Sequence, residues 1–200
     1  MDIVENVMIN EINRDLVNMI SNIGWEADGL GGTLQNPQLI HAEKLVSSKL
    51  DPLTRMPIDF GFVGEVKKIR TDLLNLESHQ TAIPVVAPVG VDDQGLTYNI
   101  NADTVAGAIA EAVEAEKLVI LTNTPGILDV NGELISTLTS EQLEELVDLG
   151  VIAGGMLPKV RCAKHALDSG VHSVQIIDGR LPHSALLEIF TDKGVGTMIT

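Results

Sequence analysis

The apolar positions near the start of the chain repeat at helical spacing. Ile3, Val7, Ile12, Leu16, Met19 and Ile20 fall near one face, which predicts an amphipathic helix over residues 2–23, stopped by Gly24. Residues 29–37 are rich in Gly, Asn and Pro and read as a loop. Residues 39–44 read as a strand, 51–59 as a second loop or hairpin tip, and 62–70 as another strand. A short helix is expected over 71–79, with Leu73, Leu74 and Leu76 on its apolar side. Residues 84–89 form an apolar run suited to a buried strand, and 96–98 pair back after the turn Asp92-Asp93-Gln94-Gly95.

The second half is more regular. Residues 102–117 are alanine-rich and helical, with Asn101 in the capping position. A buried strand, 118–122, ends at the turn signature Thr124-Pro125-Gly126. Thr139 and Gln142 have the spacing of a capping box for a helix over 139–149, and Gly150 is its stop. Pro158 suits the first position of a helix ended by Gly170. A strand over 173–177, a helix over 183–190 and a strand over 196–199 complete the chain. This alternation predicts an α/β fold: a three-layer αβα sandwich with a largely parallel central sheet. No repeat or linker divides the 200 residues, so one domain is expected. In such sheets ligands collect at the C-terminal strand ends, here residues 88–103 and 122–128.

Composition narrows the chemistry. The chain is 44% hydrophobic but only 2% aromatic, so Val, Ile, Leu and Ala must build the core. A net charge of −15 argues against nucleic acid or an anionic membrane as partner. A bound nucleotide remains compatible, because a phosphate site needs only local donors. The single cysteine, Cys162, excludes an internal disulfide and reads as a buried, inert thiol. No apolar run is long enough to span a bilayer, and the acidic N-terminus has no signal-peptide pattern, which points to the cytoplasm. The five histidines show no metal-ligand spacing, and no metal ligand set is expected.

The usual nucleotide fingerprints are absent. There is no G-x-x-x-x-G-K-[ST] loop, and Gly29-Leu30-Gly31-Gly32 has the wrong spacing for G-x-G-x-x-G. Two helix starts carry chemistry instead. Asn99, Asn101 and Asp103 crowd one strand-to-helix junction. Capping explains Asn101, and a first-turn acid complements the helix dipole, so the plain structural reading of Asn101 and Asp103 is strong. Asn99 precedes the cap and has no such duty. At the other start, Gly154 and Gly155 let a ligand approach the backbone, and Lys159 puts a positive charge against the dipole. That placement favours an anionic ligand; a surface lysine after a flexible loop is the alternative. The loop Asn123, Thr124, Pro125, Gly126, Ile127, Leu128 could hold adenine and ribose through backbone groups, or be only a tight strand exit. Gly61 and Gly64, entering a strand, mark a bulge or close packing.

Four segments together resemble the amino-acid kinase family, and within it the acetylglutamate kinases: Gly61-Phe62-Val63-Gly64-Glu65-Val66, Tyr98-Asn99-Ile100-Asn101-Ala102-Asp103, Leu121 to Leu128, and Gly154-Gly155-Met156-Leu157-Pro158-Lys159-Val160. They occur in family order and cover essentially the whole chain. The resemblance implies transfer of the γ-phosphoryl of ATP, as its Mg2+ complex, to the side-chain carboxylate of N-acetyl-L-glutamate in arginine biosynthesis. It also implies a homo-oligomer at full length. By match, Asn99 and Asn101 would bind the acetylated amino acid and Asp103 would organise catalytic lysines. Lys159 would neutralise charge on the phosphoryl in flight. Asn123 to Leu128, with Val151, Ile152, Ala153, Gly154 and Gly155, would line the nucleotide site, within a nucleotide-binding part at about 85–200.

Departures from the family pattern also carry expectations. The family has an N-terminal segment with a first catalytic lysine, a Gly-Gly-Gly-Pro-type loop and a substrate arginine, and none has a match here. The chain therefore reads as a fragment or truncated frame with little kinase activity alone. A loop that usually reads Ser-Gly-Lys-Asp is Gly31-Gly32-Thr33-Leu34, and the usual Asp of the nucleotide loop is Asn123. Two rival readings stand beside the kinase: a non-catalytic nucleotide-binding module, and a sister kinase acting on glutamate or aspartate.

Overall fold

A computed structural model describes residues 1–32, 38–47, 50, 55–74, 82–191 and 194–200. Parts of the expected loops at 29–37 and 51–59, the end of the helix expected at 71–79, and Thr33 and Leu34 lie outside the described residues. Contacts divide the chain into two compact units, Met1–Val105 and Ala106–Thr200.

The first unit opens with one helical run in three windings: α1 (Asp2–Glu5), a π-helical stretch (Asn6–Asn13) and α2 (Arg14–Asn22). The helix is where the apolar spacing predicts it, but its buried face differs. Ile3, Ile12, Leu16 and Met19 are exposed, whereas Ile9 and Asn13 are buried. The wider i→i+5 winding rotates the side chains off the 3.6-residue stripe. Asn13 is held in place because its Nδ2 donates to the Val85 carbonyl at 2.8 Å. Gly29 makes room for it, since a Cβ there would stand 2.5 Å from Asn13 Oδ1.

Strand β1 (Ala27–Leu30) runs parallel to β4 (Ile83–Val86). A four-stranded sheet has the order β3-β2-β5-β6, with β2 at Ile40–Lys44, β3 at Gly64–Ile69, β5 at Val89–Val91 and β6 at Thr97–Asn99. The single strand expected at 84–89 is therefore two, broken at Ala87-Pro88, where proline cannot donate to a ladder. Gly64 is a point of close packing: a Cβ on it would lie 2.6 Å from Tyr98 Cβ.

Helix α3 (Ala102–Ala112) leads from the first unit into the second. It ends five residues short of the expected Lys117. Glu114 takes φ 49°, and the Ala115 and Glu114 amides close back on Ala110 and Glu111. That is a Schellman stop with glutamate in the place usually held by glycine.

The second unit has the sheet order β7-β9-β10-β8. Six residue pairs join β7 (Lys117–Thr122) and β9 (Ser173–Asp178) in parallel. Strand β10 (Thr197–Ile199) is antiparallel to β9 and parallel to the two-residue β8 (Thr137–Leu138). Helices α4 (Ser140–Asp148), α5 (Met156–Asp168) and α6 (Ser184–Phe190) complete it. Val174, Gln175, Ile176 and Ile177 of β9 are all buried, as a parallel strand covered on both faces requires. Leu118, Ile120, Val174, Ile176 and Ile199 pack with Leu143 of α4 and with Val160, Ala163 and Ala166 of α5. Full burial of Leu143 alone contributes about 1.5–3 kcal/mol. The fold is α/β, and among the described residues four strand pairings are parallel against three antiparallel.

Candidate functional site

At the junction that ends the first unit, Asn101 is the helix cap the sequence predicts. Its Oδ1 accepts the Thr104 amide at 3.1 Å, and its carbonyl accepts from Val105. Asp103 is the second residue of α3 and is half-buried. Asn99 closes β6: its backbone N–H donates to Phe62 O at 2.9 Å, and its side chain is exposed.

In the second unit the loop 123–128 leaves the C-terminal end of β7. Beside it, the Gly179 amide donates to Thr122 O at 2.8 Å, tying the ends of β7 and β9 together. The loop then turns into a hairpin: Ile135 N–H donates to Ile127 O, and Leu128 bridges Leu134. The Asp129 carboxylate accepts the Asn131 and Glu133 amides in that hairpin's turn. These bonds, that from Glu133 first, hold its pKa below the usual carboxylate value.

The second predicted segment follows α4. Its capping box forms as expected, with Thr139 and Gln142 exchanging bonds at 3.3 and 3.0 Å. Gly150, at φ 72°, stops the helix. Residues 151–155 then turn into α5, where Gly155 is the N-cap and Met156 the first helical residue. Pro158 is thus third in the helix, not first. Its missing N–H still falls among the amides that have no intrahelical acceptor. Lys159 is the fourth residue of α5 and half-buried.

These two segments meet. Thr124, Gly126, Ile127 and Leu128 line a cavity of about 160 Å³ with Val151, Ile152, Ala153 and Met156. Asn123, Pro125, Gly154, Gly155 and Lys159 are not among its lining residues. Its lining side chains are mostly aliphatic, and Thr124 is the one polar residue among them. The cavity suits a flat apolar group, and its volume accepts part of a nucleotide rather than all of it. Met156 was not foreseen in the cavity, although it directly follows Gly154-Gly155. A larger cleft of about 430 Å³ in the first unit contains none of the predicted residues. In it Arg70 pairs with Asp72 at 2.8 Å, His41 lies 3.5 Å from Asp93, and Lys68 is a further lining residue.

A model of the Amino acid kinase family matches residues 1–178. The chain belongs to the amino-acid kinase family. Among curated family members, the acetylglutamate kinase of Nitrosococcus oceani is 49% identical over 203 residues, spanning 100% of this chain and 67% of that protein. The acetylglutamate kinase of Halorhodospira halophila is 52% identical, with 100% of this chain and 66% of that protein covered. The chain thus spans about two thirds of the length of these relatives. A crystal structure of the N-acetylglutamate synthase of Neisseria gonorrhoeae, complexed with coenzyme A and L-arginine, superposes with a TM-score of 0.75. It is 28% identical and covers 88% of this chain and 38% of that one. The fold is therefore that of an amino-acid kinase, and the chain is a homologue of acetylglutamate kinases.

Among the described residues, no group of three or more His, Cys, Asp or Glu could hold a metal ion. No helix among them is long and apolar enough to cross a membrane.

Proposed function

We propose that this chain supplies the nucleotide-binding part, about residues 85–200, of an ATP-dependent acetylglutamate kinase. The observation that carries this is the convergence of 124–128 and 151–153 on one apolar cavity at the C-terminal end of β7. ATP would place its base there. The glycines at 154 and 155 would then offer their backbone amides to its phosphates, since the Met156 and Leu157 amides already donate to the Ala153 and Gly154 carbonyls and Pro158 has none. Mg2+ would arrive on the nucleotide, held by phosphate oxygens and water, since the described residues offer it no cluster.

In this reading Asn99 and Asn101 bind N-acetyl-L-glutamate. Asn101 Oδ1 is occupied by the cap, so only its amide nitrogen is available to substrate. Asp103 positions the catalytic lysines, and Lys159 neutralises the charge that develops on the transferred phosphoryl. The side-chain carboxylate of acetylglutamate attacks the γ-phosphorus, the bond to the ADP oxygen breaks, and the products are an acyl phosphate and ADP. We place the reaction in the cytoplasm, as a step of arginine biosynthesis. Self-association of the full-length protein belongs to the same reading, with Ile12, Leu16 and Met19 exposed along the first helix.

One lysine leaves much of that charge uncompensated, so the 200 residues alone are expected to turn over slowly. The test is acetylglutamate-dependent ADP release by the chain, beside a version extended to the length of its relatives. The reading requires turnover in the extended version with N-acetyl-L-glutamate and none with glutamate or aspartate. Turnover on either of those, or ADP release indifferent to the acceptor, contradicts it.

A further inference from the structure

Thr197 lies 70 residues beyond the nucleotide loop and is fully buried in β10. Its hydroxyl oxygen accepts the Ile127 amide at 2.9 Å and donates to the Ile135 carbonyl at 2.6 Å. Ile135 already donates its own amide to Ile127 O at 2.9 Å. In an antiparallel ladder two such residues exchange both bonds directly. Here one bond is direct and the return bond passes through the Thr197 hydroxyl. The insertion spreads the base of the hairpin and sets where Gly126 and Ile127 stand. Gly126 accommodates it: at φ 152° it lacks the Cβ that would lie 2.7 Å from Thr197 Oγ1. Gly126 and Ile127 in turn form part of the cavity wall.

We propose that Thr197 is a positioning residue for nucleotide binding, its hydroxyl fixing the loop against which the base rests. This rests on the reading of that cavity as the nucleotide site. Thr197 itself does not line the cavity. Removing the hydroxyl leaves the buried Ile127 amide without its partner, and the loop can pair it only by moving.

The experiment is ATP titration calorimetry on the 200-residue chain and on Thr197→Val and Thr197→Ser. Valine keeps the shape and loses the hydroxyl; serine keeps the hydroxyl. The valine variant should bind ATP about tenfold more weakly, and serine should stay within about twofold of the unaltered chain, as the loss of one buried bond predicts. Unaltered ATP affinity in a folded valine variant, or a serine variant as weak as valine, overturns the proposal. If the unaltered chain binds no ATP, the nucleotide reading itself falls and takes this one with it. Should the valine variant fail to fold, hydrogen exchange on the unaltered chain decides. ATP must slow exchange of the Ile127 amide, and an Ile127 amide indifferent to ATP contradicts the proposal.

Discussion

Arg180 grips Asp178 with both ends of its guanidinium: Nε donates to Oδ1 at 2.9 Å and Nη2 to Oδ2 at 2.8 Å. The pair sits where β9 ends, next to the strand exit that begins the 123–128 loop, because Asp178 is in register with Thr122. The Arg180 side chain, then its backbone amide, pulls the Asp178 pKa from 3.8 to about 2.

A pKa depressed on folding stabilises the fold above the unfolded value and loses that contribution as pH falls through the folded one. The Asp178 contribution should be complete above about pH 5 and should be lost as pH falls past 3.8 towards about 2. Thermal midpoints of the chain and of Asp178→Asn should therefore differ at pH 6 and converge as pH approaches 2. A constant difference over that range would show that the ion pair is not the cause.

Glu114 holds the left-handed stop of α3 at φ 49°. A side chain there is strained, whereas glycine is at ease. Glu114→Gly should stabilise the chain by about 0.5–1 kcal/mol, read as a higher urea midpoint at unchanged slope. A destabilised variant would mean that the glutamate side chain makes up for its backbone.

Asp103 separates the catalytic from the structural account of its helix start. As a first-turn acid alone, Asp103→Asn would cost well under about 1 kcal/mol and leave turnover intact. The positioning role instead predicts near-native stability with turnover in the full-length protein reduced by about a hundredfold or more. Wild-type turnover in the asparagine variant would remove Asp103 from the chemistry.

How far the sequence reveals this molecule depends on how local each cause is. The Thr139–Gln142 box, the Asn101 cap and the apolar run of β9 act within a few residues, and all are found as read. Strand β1 was hidden because Ala27-Asp28-Gly29-Leu30 has no apolar alternation. The stop at Glu114 was hidden because glycine is the usual signal. The face buried by the first helix follows from its π winding, which residue spacing does not encode. At the candidate site, the segments 123–128 and 151–155 were legible as motifs, but their meeting is tertiary, and so is Met156 in the wall. Thr197 carries no local mark at all, since its role lies in two backbone groups 62 and 70 residues away.

In the proposed function the cavity between 124–128 and 151–156 receives ATP. The most direct measurement is an ATP titration followed by amide chemical shifts of the labelled chain. Saturable shifts are expected at Gly126, Ile127, Ile152, Ala153 and Met156, with little movement at Val89 and Val91 in the first unit's sheet. Shifts centred instead on the cleft at His41, Lys68 and Arg70, or no saturable shift at millimolar ATP, would contradict it.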